Sequence, residues 1–138
     1  MKLVVIDTNV MLSALARDSP CAPLFRALTT GKLKLAVTAS IILEYEEVAA
    51  IRGGPRFAAR IMHLLSLVAA AHKTIVLAHP SYQFHVVTAD PDDNKFTDCA
   101  ITVQADFVIT SDHHFEPLAH AGYKPQPIKP EDFIARYL

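Results

Sequence analysis

The chain has 138 residues, of which 51% are apolar, and a formal net charge of −1. This length predicts one compact domain, residues 1–138, and the near-neutral charge argues against a strongly basic nucleic-acid-binding face or a polybasic membrane-surface protein. Two cysteines in a chain that can bury a core indicate reduced thiols rather than a structural disulfide. The opening residues do not form a signal peptide, and the longest apolar stretch is too short to span a bilayer, so we expect a soluble, cytoplasmic protein.

Predicted strands alternate with predicted helices along the chain. Residues 2–6, KLVVI, form a continuous apolar run, which is typical of a strand buried on both faces. Further strands are predicted at 33–38, 74–78 and 106–110, and a short strand begins the closing stretch 127–137. Helices are predicted at 9–16, 22–31, 41–51, 57–72 and 94–104, and in the rest of 127–137 with Pro130 in the first turn. We expect Gly31 and Ser40 to cap helices, RGGP at 52–55 to break the chain, and 79–92 to be irregular.

This alternation predicts a three-layer α/β fold with a central, mainly parallel β-sheet flanked by helices. Ligands bind such sheets beyond the carboxyl ends of the strands. Asp7 directly follows the first strand, and Asp112 follows the strand DFVIT. We therefore expect both carboxylates at the edge of the sheet where chemistry takes place.

The helix after Ser40 brings further carboxylates into range of this edge. Its predicted buried stripe includes Ile41 and Tyr45, and Glu47 points nearly opposite to it. Glu44 and Glu46 lie on the two flanks of the stripe. The helical wheel alone does not choose between them.

The helix after Asp93 offers one more acid. Its predicted stripe contains Phe96 and Cys99, and Asp93 lies near one flank of that stripe. Asp98 lies nearly opposite and is expected to face solvent or a partner, while the loop acids Asp90 and Asp92 are expected to shape a turn or cap the helix.

Several carboxylates brought to one place repel one another and raise each other's proton affinity. A hard cation would neutralise them, and oxygen-only ligands suit Mg²⁺ or Mn²⁺. The acidic residues therefore predict a metal site.

Five motifs, in order, carry a family resemblance over essentially the whole chain: VVIDTNVMLSAL, SIILEYEEV, DPDDNKFTDCAI, ADFVITSD and IKPEDFI. Together they resemble the PIN-domain family, and most closely its branch of VapC-type toxins from toxin–antitoxin pairs. The resemblance implies a parallel sheet flanked by helices and a metal-dependent ribonuclease that hydrolyses RNA. It also implies a cognate antitoxin protein as partner. Together with the high apolar content, it predicts a homodimer or higher homo-oligomer.

The resemblance assigns the site residue by residue. The four family acids, expected to be catalytic and to bind Mg²⁺ or Mn²⁺, fall on Asp7, Glu44, Asp93 and Asp112, and this match selects Glu44 over Glu46. The neighbours expected to support these acids are Thr8, Asn9, Thr110 and Ser111. The chain departs from the family pattern at SDHHF, because the family more often has a basic or acidic residue where His113 and His114 stand.

In the predicted mechanism, an ion held by Asp7, Asp93 and Asp112, directly or through water, lowers the pKa of a bound water and stabilises charge on the phosphate. Glu44 is expected to be a ligand or to orient the water. One alternative is an aspartyl-phosphate phosphotransferase with Asp7 as nucleophile. Enzymes of that phosphotransferase class need an Asp at the position that Asn9 occupies. The other alternative is a degenerate PIN domain that binds RNA or protein without cleaving it, which loss of an acid would support.

Other polar residues have competing interpretations. Adjacent residues on a helix do not point together, so exposure or substrate contact is favoured over metal ligation for His113 and His114. A row of three arginines, Arg52, Arg56 and Arg60, favours a solvated face over a phosphate-binding stripe. Lys95 is as compatible with solvent as with a substrate phosphate.

Overall fold

The structure, a computed structural model, describes residues 1–138. Five strands and six helices alternate along the chain: β1 (Lys2–Ile6), α1 (Thr8–Ala14), α2 (Ala22–Thr29), β2 (Leu33–Val37), α3 (Ala39–Ala71), β3 (Ile75–Leu77), α4 (Asn94–Thr102), β4 (Phe107–Ile109), α5 (Glu116–Ala119), β5 (Gln126–Ile128) and α6 (Pro130–Tyr137). Single 3-10 turns, Pro91–Asp93 and His113–Phe115, lead directly into α4 and α5.

All five strands are parallel and lie in the order β3-β2-β1-β4-β5. The central strand β1 is buried, and its Val4 pairs with Leu35 on one side and Phe107 on the other. From β1 the chain moves outward through β2 and β3, and it then returns to the other side of β1 as β4. The crevice between the carboxyl ends of β1 and β4 is therefore the switch point at which such sheets bind ligands. The predicted three-layer α/β fold is confirmed.

Helix α3 differs from the prediction at its start. Thr38, not Ser40, caps it, because the Thr38 hydroxyl accepts a hydrogen bond from Ile41 N at 3.1 Å. The helix thus begins directly after β2, and the exposed Ser40 lies within its first turn. The predicted break at RGGP is confirmed, since Gly54 has φ +85° in the middle of α3 and Pro55 follows it. Only glycine adopts this conformation without steric cost.

Asp98 is buried, contrary to the expectation that it faces solvent or a partner. Its exposed fraction is 9%, and its Oδ1 accepts a hydrogen bond from Phe84 N at 3.0 Å. The helical wheel predicted that the side of α4 opposite the core faces solvent. In the structure, the irregular segment 79–90 covers that side. Asn94 holds the same segment, accepting from Val87 N at 2.8 Å and donating to Val87 O at 2.9 Å.

Buried apolar residues from the sheet and the helices form one core cluster. The two cysteines form no disulfide, as predicted, and burial raises the pKa of the Cys99 thiol to about 12. None of the helices combines the length and the apolarity that crossing a bilayer requires.

Candidate active site

Asp7 is fixed at the end of β1 by three elements. Its backbone N–H donates to Ile109 O of β4 at 3.0 Å. Its Oδ1 caps α1 by accepting from Thr8 N at 2.8 Å, and its Oδ2 accepts from the Thr110 hydroxyl at 2.8 Å. The residue is only 8% exposed. The carboxylate is therefore rigidly placed, as a catalytic or metal-binding group requires.

Burial raises the pKa of Asp7 above its usual range. The hydrogen bonds from Thr110 and Thr8 lower it, while the nearby charges of Asp112 and Glu44 raise it further. Three of the four predicted acids thus act on one another electrostatically.

Glu44, and not Glu46, faces this edge of the sheet from α3. Its Oε2 accepts a hydrogen bond from the Thr8 hydroxyl, and its Oε1 lies 2.8 Å from Lys95 Nζ. Glu46 is exposed. Burial lowers the pKa of Lys95, but the hydrogen bonds and charges of Glu44 and Asp92 together outweigh burial and raise it. Lys95 is therefore an ion-pair partner inside the site, a role that the sequence left undecided.

The turn after β4 joins the fourth acid to the first. Asp112 N donates to the same Thr110 hydroxyl that binds Asp7, at 3.0 Å. Asp112 Oδ1 in turn accepts from His114 N at 2.9 Å, which fixes the first residues of the 3-10 turn. The hydroxyl of Thr110 thus links the carboxylate of Asp7 to the backbone of Asp112, whereas Ser111 is exposed and makes no side-chain hydrogen bond.

His114 connects Asp112 to Asp93. Its Nδ1 lies 3.2 Å from Asp112 Oδ2 and 3.4 Å from Asp93 Oδ2. Burial, followed by the charges of Asp7, Asp90 and Asp112, raises the pKa of Asp93 to about 6, and the His114 contact partly offsets this rise. Sequence analysis favoured exposure or substrate contact for both histidines. The structure turns His114 inward and leaves His113 exposed.

The four predicted acids form one connected network, which runs from Glu44 through Thr8 to Asp7, through Thr110 to Asp112, and through His114 to Asp93. A lysine neutralises Glu44, but no lysine or arginine pairs with Asp7, Asp93 or Asp112. Carboxylates that raise each other's proton affinity, with no lysine or arginine between them, fit a hard divalent cation.

Two residues near this network differ from the roles that sequence analysis considered. Asn9 was expected to support the acids, but it is exposed, and its Oδ1 accepts from Arg52 Nη2 at 2.5 Å. Tyr45 was interpreted only as part of the core stripe. Its hydroxyl donates to Ile6 O at 2.5 Å, on the residue before Asp7. The sequence signal for this role was a residue with a hydroxyl on a buried stripe, directly after Glu44.

An open cavity of about 630 Å³ lies next to the acids, at the carboxyl ends of β2 and β3. Its walls include Thr38, the segment residues Tyr82 and Gln83, and Asp92 and Lys95 at the start of α4. Lys95 lines the cavity and also pairs with Glu44, so the cavity opens beside the acidic network.

The family model of the PIN domain matches residues 3–114, a range that includes all four acids. The chain belongs to the PIN-domain family. Two solved structures share the fold. One is VapBC2 from Rickettsia felis bound to a DNA fragment from their promoter, with 12% identity, a TM-score of 0.56, and coverage of 83% of this chain and 91% of that chain. The other is FitAcB from Neisseria gonorrhoeae, with 16% identity, a TM-score of 0.57, and coverage of 92% and 97%.

No curated protein matches the chain significantly in sequence. At 12% and 16% identity, the two structural likenesses establish the fold of the PIN domain and not its substrate.

Proposed function

We propose that residues 1–138 act as a single PIN-like domain that hydrolyses RNA phosphodiester bonds as a metal-dependent endoribonuclease. The observation that carries this proposal is the connected network of Asp7, Glu44, Asp93 and Asp112 at the switch point of a PIN-family sheet. Three of these acids have no lysine or arginine partner, so a divalent cation and a phosphate group can both be accommodated there.

Asp7, Asp93 and Asp112 would hold Mg²⁺ or Mn²⁺. Once bound, the ion supplies a water of lowered pKa and stabilises negative charge on the phosphate. Thr8 and Thr110 fix both oxygens of Asp7, and Thr110 also fixes the backbone of Asp112. The chain thus orients these carboxylates before substrate arrives, which is the preorganisation that catalysis uses.

We further propose that the protein is the toxin of a type II toxin–antitoxin pair and acts in the cytoplasm as a homodimer or higher homo-oligomer. The resemblance of its motifs to VapC-type toxins supports this assignment, as does the shared fold with chains of VapBC2 and FitAcB. Its partners would then be an RNA substrate and a cognate antitoxin protein.

A second candidate function is a catalytically weak PIN domain that binds RNA or protein. One observation favours it: both oxygens of Glu44 are already engaged, by Thr8 and by Lys95. A Glu44 that remains paired in this way shares both oxygens with protein donors, which weakens its interaction with an ion or a water.

The deciding experiment measures cleavage of a fluorescent single-stranded RNA in Mg²⁺, in Mn²⁺ and in excess EDTA. We expect cleavage only with metal, and Asp7→Asn and Asp93→Asn should each reduce it by at least about 10–100-fold while the circular dichroism spectrum stays native. Asp132→Asn, an exposed acid in the first turn of α6, is the matched control and should retain activity.

Full cleavage in EDTA, or in both variants, would contradict the metal-nuclease proposal. RNA binding without cleavage in any metal would favour the second candidate.

A further inference from the structure

A hydrogen bond of its backbone N–H fixes the position of His114. Asp112 Oδ1 accepts the His114 N–H at 2.9 Å and so sets the direction of the 3-10 turn. The His114 side chain is 28% exposed, whereas that of His113 is 83% exposed. The exposed His113 ring approaches only Asp112, with 3.8 Å between its Nδ1 and Asp112 Oδ1, whereas His114 approaches both Asp112 and Asp93.

The ring nitrogen of His114 lies among the oxygens of the acidic network. Nδ1 is 3.2 Å from Asp112 Oδ2 and 3.4 Å from Asp93 Oδ2. Asp90, Asp93 and His114 each offer one possible ligand atom, and these three atoms lie within 4.8 Å of one another. The same is true of Asp112, His113 and His114. Donors that surround one ion at about 2.0–2.3 Å are separated by distances of this order. Both groups of donors share His114.

We propose that His114 binds the divalent cation through Nδ1, together with a carboxylate oxygen of Asp93, and that this nitrogen makes the site prefer Mn²⁺ over Mg²⁺. The inference rests on the metal site of the proposed function, but it concerns a ligand outside the four acids that the family motifs assign. The bound ion lies between Nδ1 and the carboxylate of Asp93, and Nδ1 binds it without a proton, so the neutral ring then carries its proton on Nε2.

The expected selectivity follows from ligand chemistry. Mg²⁺ favours oxygen ligands in near-ideal octahedral geometry, whereas imidazole suits the later divalent metals. A site with only carboxylates discriminates weakly between Mg²⁺ and Mn²⁺. One nitrogen donor beside a carboxylate shifts the preference toward Mn²⁺, because Mg²⁺ gains less from the nitrogen.

A purely electrostatic role for His114 is the competing possibility. In that role a protonated ring pairs with Asp93 and Asp112, and an incoming ion displaces it, so that no nitrogen contacts the metal. The two roles differ in a direct spectroscopic property, the coupling between the Mn²⁺ electron spin and a ligand nitrogen.

The test uses the full chain with Mn²⁺ as the probe and records electron spin-echo envelope modulation. We expect nitrogen modulation from a directly bound imidazole in the wild type, a changed modulation pattern after ¹⁵N-histidine labelling, and an unaffected signal in His113→Gln. The signal should disappear in His114→Gln. The isotope experiment needs no substitution, so it decides the matter even if His114→Gln does not fold.

A second measurement compares the dissociation constants of Mn²⁺ and Mg²⁺ by titration. We expect the preference for Mn²⁺ to fall by about tenfold in His114→Gln and to stay unchanged in His113→Gln. Bound Mn²⁺ without nitrogen modulation, or modulation lost in His113→Gln, would overturn the role of His114 and leave the nuclease proposal intact. Failure of Mn²⁺ to bind the wild type would overturn both proposals.

Discussion

Lys95 Nζ lies 2.8 Å from Glu44 Oε1, and this contact divides the four acids into two groups. Glu44 has a positive partner from α4, whereas Asp7, Asp93 and Asp112 have neither a lysine nor an arginine. The uncompensated charge lies on the Asp7–Asp93–Asp112 side, which is where a cation gains most from binding.

Replacing Lys95 by Met should destabilise the protein by about 1–2 kcal/mol, because it leaves the half-buried charge of Glu44 unpaired near Asp7. Adding Glu44→Gln should recover most of this loss, since the repelling charge is then gone. Urea denaturation of both single variants and of the double variant gives the coupling energy. Lys32→Met, at an exposed lysine, is the control and should change stability by less than about 0.5 kcal/mol. Additive single effects would show that the ion pair contributes nothing.

Asp93 should make the metal-free protein less stable as the pH rises. Burial and the neighbouring acids raise the pKa of its carboxyl from 3.8 to about 6, so folding favours the protonated form. The stability it contributes is complete below about pH 3.8 and is lost as the pH rises through about 6. Such a shift corresponds to about 3 kcal/mol at most, and solvent screening reduces the expected effect to about 1–2 kcal/mol.

Asp93→Asn removes this pH dependence and keeps the shape of the side chain. In EDTA it should melt above the wild type at pH 7.5 and close to it at pH 4. In saturating Mn²⁺ the order should reverse, since binding at ~100 times the dissociation constant stabilises the wild type by about 2.7 kcal/mol. A variant that melts below the wild type in EDTA at both pH values would mean that Asp93 supports α4 and does not belong to a repelling cluster.

Asp7, Asp112 and the order of strands and helices were predictable, because continuous apolar runs and strand-end acids follow directly from local pattern. Asp98 was not predictable. A helical wheel predicts only which side of α4 faces the core. The other side is covered by an irregular segment, which has no periodicity from which its position could be predicted. His114 was undervalued for a related reason: the rule that adjacent residues point apart says nothing about which of the two points inward. That choice depends on the Asp112 hydrogen bond that sets the turn.

Tyr45→Phe should reduce stability by about 1–2 kcal/mol, because it removes a fully buried hydrogen bond to the carbonyl of Ile6. Tyr137→Phe, at a partly exposed tyrosine whose hydroxyl has no hydrogen bond in the structure, is the matched control and should have an effect below about 0.5 kcal/mol. Thermal melts of the two variants in EDTA provide the comparison. Equal effects would mean that the Tyr45 hydroxyl is not a support of β1.

Self-association should be detectable by multi-angle light scattering at tens of micromolar protein. Helix α3 exposes large apolar side chains, Leu43, Ile51 and Leu67, and closed two-fold symmetry is the commonest arrangement of small soluble proteins. The expected mass is that of a dimer. A mass that stays at 15.2 kDa over this range would remove the prediction.

The segment 79–90 is attached to α4 through its main chain. Asp98 receives the N–H of Phe84, and Asn94 binds both polar backbone groups of Val87. The side chains of Tyr82 and Gln83, which line the cavity, take no part in these attachments. Substitutions at these two positions therefore leave the path of the segment intact, and they change the surface that a ligand would contact. A directed library restricted to these wall positions can therefore change ligand preference without refolding the chain.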